Sequence, residues 1–547
     1  MVNGELLREA LNRPRVRRTL MWALGAVALW AVLGVVASTA GAMAIPVPAT
    51  ASGARPAWVT PEPGSPKDNA HFTAGQTLVV DGRLGHASIA KTGRGETFFF
   101  ASVTGAEAGA SAAAAAPMNL AIVIDRSGSM KGDRIANAMT AAVGMVERMR
   151  DGDSVSVVSF DTQSTVVVPP TLTTVATRPS IAAAIRSIRL GGDTCISCGL
   201  EEGMRQLDAT ALGGDRVNRM ILLSDGATNH GIRDIGGLRG MAGHMRDRGL
   251  SISTIGVDLD FDEKVMAAIA SESNGRHYFV ANPSGLPSIF AQEFDSLLAS
   301  VASDAELSIE LPPGVEVDQV FDRTFRREGT KVIVPFGTFS AKQEKTVLMK
   351  LRVPADREGL QPVVDVKLAY RDLVQKSDGS CAGALAVAVT DDASAQKDLD
   401  PFVAARLERS RTAQTLTDAN LLFEQGRIAE ARARLRGQRE ELEKTKLTAR
   451  ASATARPVTN PFRGRSLDDD FGAQQQAVAQ AEANFATPPA NKAAGGAPVG
   501  GGFVNPGHAG PFASPPATQA SAAPAADSRE GKAARKDNQS NATDLAF

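Results

Sequence analysis

The sequence predicts an α/β fold with a doubly wound, mostly parallel sheet at residues 118–302, followed by an antiparallel β-sandwich domain. Four short apolar segments, NLAIVI, SVSVVSF, RMILLS and SISTIGV, alternate with stretches whose apolar residues recur at helical spacing. Such nearly continuous apolar strands are typical of a parallel sheet covered by helices on both faces. Residues 305–390 instead alternate apolar and polar residues without a helical pattern, which predicts antiparallel strands.

Length and composition narrow the protein class. A chain of 547 residues exceeds what one core needs, so several domains are expected. The charges are nearly balanced, with 59 basic and 60 acidic residues, which argues against a nucleic-acid-binding protein. The three cysteines are too few for a disulfide scaffold.

Residues 1–45 predict a cytoplasmic flank and a transmembrane anchor or signal segment. The stretch LMWALGAVALWAVLGVVASTA is long enough to span a bilayer and follows the basic segment RPRVRR. One reading is an uncleaved single-pass anchor. The other is a signal peptide cleaved near AMA at 42–44, which would release a secreted protein. Both readings place the body outside the cytoplasm, in the periplasm or at the cell surface.

The remaining segments differ in composition. Residues 46–75 predict a Pro-rich linker, and residues 76–106 predict short strands that complete the sandwich of residues 303–395, with the α/β domain inserted between them. Residues 399–446 predict a helical hairpin that turns at Gly426. In the tail 451–547, 51 of 97 residues are Ala, Gly, Pro or Ser, which predicts disorder.

Oxygen-bearing side chains follow three segments of the α/β domain. Asp125, Ser127 and Ser129 come directly after the first apolar strand, in IVIDRSGSM. Thr194 lies in the Gly-rich loop RLGGDTCISCGL, and Asp225 ends the strand RMILLS. Ligands of open α/β sheets bind at the carboxyl ends of the strands. Two carboxylates and three hydroxyls there would suit Mg²⁺, Mn²⁺ or Ca²⁺ better than zinc.

These residues resemble the metal-ion-dependent adhesion site of the von Willebrand factor A domain family. The motif DRSGSM supplies Asp-x-Ser-x-Ser, and Thr194 and Asp225 follow in the family's order. The flanking strands resemble those of bacterial exported proteins akin to inter-alpha-trypsin inhibitor heavy chains. The resemblance implies metal-dependent binding of a protein partner through its Asp or Glu, and no catalysis.

Cys195 and Cys198 depart from the usual composition of the Thr loop. Their spacing allows a local disulfide in an oxidising compartment, and a redox-active pair at a helix start is the alternative. Cys381 has no evident partner. The segment DLDFDE at 258–263 lacks the Gly and the closing Glu of an EF-hand loop, and its position before a helix favours capping.

Three functions follow from these features. The first is an exported, membrane-anchored binding protein that uses a divalent cation. The second is a metal- or thiol-dependent envelope enzyme, against which stands the lack of a well-placed histidine and of any general base near the ligands other than Asp193. The third is a structural envelope scaffold whose α/β domain binds nothing.

Overall fold

The computed structural model describes residues 68–107, 116–210, 216–392, 399–455, 466–485 and 526–546. The predicted transmembrane or signal segment lies outside these residues. Within the described ranges, no helix has both the length and the apolar character needed to cross a bilayer.

Within the first described range, 68–107, the chain forms four strands: β1 (His71–Gly75), β2 (Leu78–Leu84), β3 (Ser88–Ala90) and β4 (Gly93–Gly105). The predicted linker 46–75 therefore extends too far, because residues 71–75 already pair with β2. The short segment HFTAG gave no alternation long enough to mark it as a strand.

The α/β domain follows β4 directly. Its strands are β5 (Met118–Asp125), β6 (Ser154–Phe160), β7 (Ser164–Leu172), β8 (Val217–Ser224), β9 (Ser251–Val257) and β10 (His277–Val280). Its helices are α1 (Asp133–Arg148), α2 (Arg178–Arg186), α3 (Ile196–Asp208), α4 (Ile235–Arg246), α5 (Glu263–Glu272) and α6 (Leu286–Leu298).

The sheet of this domain has the order β10-β9-β8-β5-β6-β7, and every neighbouring pair is parallel except β6 and β7. Every residue of β5 is buried, as its apolar run predicts. Helices α1, α2 and α6 contribute to the core on one face, and α3, α4 and α5 to the core on the other. The predicted doubly wound fold is confirmed.

The chain then returns to antiparallel strands. These are β11 (Ser300–Glu310), β12 (Glu316–Phe321), β13 (Arg326–Glu328), β14 (Lys331–Ser340), β15 (Glu344–Ala355), β16 (Gly359–Asp372) and β17 (Ser377–Thr390). They share two sheets with the first four strands, in the orders β1-β2-β4-β15-β12 and β13-β14-β11-β16-β17-β3. One apolar core lies between the two sheets.

The α/β domain is inserted into this sandwich between β4 and β11. Both ends of the insertion meet the turn between β14 and β15, where Gly105 N donates to Gln343 O at 2.9 Å and Ala341 N donates to Ala299 O at 2.7 Å. A Cβ atom at Gly105 would lie 2.4 Å from Ser340 O, so the close approach of the two chain segments requires glycine there.

Four helices follow the sandwich in the residues that the structure describes: α7 (Pro401–Glu424), α8 (Ile428–Ala455), α9 (Leu467–Asn484) and α10 (Arg529–Ala546). The turn between α7 and α8 contains Gly426, whose φ of 74° favours glycine, as the predicted hairpin requires. A small cluster of Phe100, Leu348, Val403 and Leu407 packs α7 against the outer face of β4 and β15.

The predicted disorder of the tail 451–547 is wrong for residues 451–455, which end α8, and for the segments that form α9 and α10. Helices α9 and α10 pack against α7 and α8 through a shared apolar cluster that includes Phe471, Val478, Phe485 and Leu545. Composition misled here because a few well-spaced large side chains on Ala-rich helices suffice once a partner surface exists. The rest of the predicted disordered tail lies outside the described residues.

The sandwich strands after the insertion should not fold without those before it. A chain of residues 300–392 leaves β15 paired with β12 alone, because β4 forms its other edge. Thermal denaturation followed by circular dichroism should show no cooperative transition for this chain. Joining residues 68–107 to it through a Gly/Ser linker should restore one.

Residues 116–299 serve as the control and should unfold cooperatively by themselves, because they contain every buried residue of the two cores of the α/β domain except Leu373. A cooperative transition of residues 300–392 alone would contradict the shared-sheet account.

Candidate metal centre

Asp125 ends β5 at the centre of the sheet, where β6 and β8 flank it on either side. Its carboxylate is fully buried and accepts two hydrogen bonds. Ser127 N donates to Oδ1 at 2.8 Å, and Ser224 Oγ donates to Oδ2 at 2.6 Å. These bonds fix the orientation of the carboxylate and leave each oxygen with further lone-pair capacity.

The two serines of the motif lie beside the second carboxylate. A short 3₁₀ turn at Gly128–Met130 carries Ser129 back towards the end of β8. The hydroxyls of Ser127 and Ser129 are 3.0 Å apart, and Ser129 Oγ donates to Asp225 Oδ1 at 2.7 Å. The structure therefore brings these three predicted residues into direct contact.

Thr194 approaches the same place from the loop before α3. Thr194 N donates to Asn229 Oδ1 at 2.8 Å, which ties this loop to the one that follows β8. A Cβ atom at Gly226 would lie 3.3 Å from Thr194 Oγ1 and 3.5 Å from Ser129 Oγ. Both hydroxyls therefore lie close to Gly226, and a side chain there would crowd them.

Burial makes the two carboxylates unusual. It raises the pKa of Asp125 to about 6, and the neighbouring charge of Asp225 adds to the increase although the hydrogen bonds from Ser224 and Ser127 oppose it. Asp225 is also fully buried. Two desolvated carboxylates side by side would be stabilised by a cation held between them.

Arg134 belongs to this site although no sequence pattern predicts it. Its guanidinium, on α1, contacts Asp225 Oδ2 at 2.6 Å and Ser129 O at 3.0 Å, and it pairs with Asp258 Oδ2 at 2.6 Å. Neither spacing nor a motif marks this residue, because it meets its partners only through the fold. Ser224 was missed too, although a hydroxyl directly before Asp225 could have suggested it.

The donor set fits a small hard cation. It offers two carboxylates and three hydroxyls, which are the oxygen ligands that Mg²⁺ and Mn²⁺ accept. No group of three or more His, Cys, Asp or Glu side chains placed to hold a metal occurs in the part of the chain that the structure describes. Any metal at this edge would therefore depend on the hydroxyls of Ser127, Ser129 and Thr194.

Cys195 and Cys198 form a disulfide next to Thr194. Cys195 is buried at the N-cap of α3, and its backbone N donates to Asp161 O at 2.9 Å. The bridge thus closes the turn that joins the Thr194 loop to its helix. Cys381 is a free, partly buried thiol, and burial raises its pKa to about 11.

Two aspartates of the acidic segment 258–263 have different roles. Asp262 accepts hydrogen bonds from the backbone of Lys264 and Val265, so it caps α5 as the sequence suggests. Asp258 instead pairs with Arg134, and Arg134 links it to the candidate metal ligand Asp225.

Comparison with known proteins identifies the inserted domain. Residues 119–292 match the family model of the von Willebrand factor type A domain. The chain contains a von Willebrand factor type A (VWA) domain. The resemblance drawn from the motif is confirmed for this domain, and the further likeness to inter-alpha-trypsin inhibitor heavy chains stays a prediction.

Two bacterial relatives match this chain over more residues than the VWA domain contains. An uncharacterized protein of Synechocystis sp., sll0103, is 29% identical over 266 residues, which cover 47% of this chain and 62% of that protein. The uncharacterized protein YfbK of Escherichia coli (strain K12) is 28% identical over 268 residues, which cover 46% of this chain and 45% of that protein. The matches thus span less than two thirds of either relative.

A solved structure shows the same fold over a larger region. The von Willebrand factor type A protein from Catenulispora acidiphila superposes with a TM-score of 0.60 at 16% identity, over 77% of this chain and 93% of that one. At this identity the likeness concerns the fold alone. VWA domains often bind divalent cations and typically bind proteins.

The disulfide makes a direct prediction for thiol labelling. Alkylation of the denatured, unreduced chain should add one group, at Cys381, and alkylation after reduction should add three. Denaturant is needed because Cys381 is partly buried. Intact-mass spectrometry reads both numbers, and three groups on the unreduced chain would show that the Cys195–Cys198 bridge is absent.

Proposed function

We propose that this protein is an exported, membrane-anchored binding protein whose VWA domain uses a divalent cation to grip an acidic residue of a protein partner. Asp125, Ser127, Ser129, Thr194 and Asp225 would hold the cation, either directly or through water. Mg²⁺ is the expected ion, with Mn²⁺ or Ca²⁺ as alternatives.

The observation that carries the proposal is the position of Ser129 Oγ. It lies 3.0 Å from Ser127 Oγ and 2.7 Å from Asp225 Oδ1, so oxygens from two separate loops converge there. Thr194, from a third loop, places its hydroxyl close to Gly226. Serine and aspartate side chains that served only as helix caps would bond to the backbone of their own helices and would not need to contact each other.

Neutral hydroxyl ligands explain why the cation would attract a partner. Two carboxylates balance the charge of a divalent ion only when both coordinate it. The Arg134 guanidinium already pairs with Asp225 Oδ2, so the negative charge of this carboxylate is partly compensated before a cation binds. Mg²⁺ also tends to retain waters that an incoming ligand can replace. An Asp or Glu of a partner, held at one coordination position, would complete both the charge and the shell.

Export and anchoring rest on the sequence of residues 1–45 and on the disulfide. A bonded Cys195–Cys198 pair is typical of proteins outside the reducing cytoplasm. We propose a single-pass topology with the amino terminus in the cytoplasm and the VWA domain in the periplasm or at the cell surface. An overall likeness to exported relatives of inter-alpha-trypsin inhibitor heavy chains belongs to the same proposal.

Metal binding is tested by calorimetric titration of the chain with Mg²⁺ and Mn²⁺. Asp125→Ala and Asp225→Ala should each weaken binding by at least about 100-fold, because each removes a charged ligand, and Ser224→Ala should weaken it about 10-fold by releasing the Asp125 carboxylate. Asp133→Ala is the matched control, since it removes an exposed carboxylate from the start of α1. Equal affinities in wild type and Asp125→Ala would contradict the assignment.

Partner binding is tested by capture from envelope extracts on the immobilised chain. Captured protein should elute with chelator, rebind when Mg²⁺ is restored, and fail to bind the Asp225→Ala chain. The same captured protein should lose binding when its own contacting Asp or Glu is changed to Asn or Gln. Capture that is unaffected by chelator would contradict a metal-dependent mechanism.

A further inference from the structure

Lys536, near the middle of α10, inserts its ammonium group into a pocket of the VWA domain. Its Nζ donates a hydrogen bond to Phe261 O at 2.8 Å and lies 3.5 Å from the centroid of the Phe261 ring. Glu263 Oε2 is 3.4 Å away, and the lysine side chain is 7% exposed. A carbonyl, an aromatic face and a carboxylate are the three groups that stabilise a desolvated ammonium.

The VWA domain builds this pocket from its own elements. A Cβ atom at Gly256 would lie 2.2 Å from Phe261 Cε2, so the ring packs directly onto β9 and glycine is required there. The ring of Phe279, on β10, lies 5.8 Å from that of Phe261 and 6.0 Å from Lys536 Nζ. Glu263 is the first residue of α5, whose cap Asp262 fixes its backbone.

Helix α10 has little apolar surface with which to dock. Three of its buried side chains, Ala534, Ala542 and Leu545, join the cluster of α7 to α9. Its other buried contacts are polar, among them Asn538 Nδ2, which donates to Asn420 Oδ1 at 3.0 Å. Because most helical stability in proteins comes from tertiary packing, the docking of α10 depends strongly on each such contact.

The loop that forms the pocket also borders the candidate metal centre. Asp258 pairs with Arg134, which in turn pairs with Asp225. On its other side, Asp260 Oδ1 lies 3.3 Å from Lys532 Nζ of α10. Residues 258–263 therefore lie between Arg134 and α10, which holds them through the buried Lys536, whereas the Lys532 pair is exposed to solvent.

We propose that Phe261, Phe279 and Glu263 form an ammonium-binding pocket for a lysine presented on a helix, that Lys536 fills it within the chain, and that the docked helix restrains the loop at residues 258–263 beside the metal edge. This assignment goes beyond metal-dependent binding and holds whether or not the cation is bound.

Hydrogen–deuterium exchange of the full chain tests the pocket. Lys536→Met keeps the aliphatic stem and removes the ammonium, so the amides of α10 should exchange about 10- to 100-fold faster. Amides of the 258–263 loop should also exchange faster. Lys532→Met is the matched control, because its ammonium is more exposed and pairs with the exposed carboxylate of Asp260, and it should change either rate less than about threefold.

Glu263→Gln tests the pocket from the side of the VWA domain and should also accelerate exchange in α10. Unchanged rates in α10 with Lys536→Met, or faster exchange in α10 with no change in the 258–263 loop, would overturn the proposal. Either result could be obtained while the Mg²⁺ titrations succeed, so the two proposals fail separately.

A synthetic peptide of residues 526–546 provides a test in trans. Added to the Lys536→Met chain, the wild-type peptide should restore slow exchange of the 258–263 loop, because it supplies the missing ammonium. The same peptide with Lys536→Met should not. Equal effects of the two peptides would show that the pocket does not recognise the lysine.

Discussion

The pairing of β5 with β6 and β8 is the constraint on which the candidate site depends. Because β5 runs parallel to both neighbours and is buried along its whole length, its carboxyl end lies at the centre of one sheet edge. Asp125 ends that strand, and Asp225 follows its neighbour β8, so parallel pairing brings both residues to the same edge of the sheet. A shift of register by one residue would move one of them out of the edge.

The sequence predicted the elements whose signal is local. An unbroken apolar strand followed by Asp-x-Ser-x-Ser marks both β5 and its loop, and the order of Thr194 and Asp225 marks the other two loops. Arg134 could not be found in this way, because its contacts with Asp225 and Asp258 join residues separated by 91 and 124 positions. The helices of the tail escaped for a related reason. Ala-rich sequence predicts disorder until a complementary surface is known.

Polar contacts join the inserted VWA domain to the sandwich and to the C-terminal helices. The sandwich receives both ends of the insertion at one turn, which fixes where the domain is attached. After the sandwich, helix α7 packs against its outer face. Helix α10 contacts the loop between β9 and α5 of the VWA domain through Lys532 and Lys536. The loop beside the candidate ligands is thus contacted by a distant part of the chain. Lys532 and Lys536 lie about 270 residues after their partners Asp260 and Phe261.

A crystal structure of the chain grown with Mn²⁺ would test the central claim most directly, because anomalous scattering locates manganese without reference to the protein chemistry. We expect one strong peak in contact with the hydroxyls of Ser127 and Ser129, with Asp125, Thr194 and Asp225 bound directly or through water. A peak elsewhere, or none at this edge when the ion is in excess, would contradict the account.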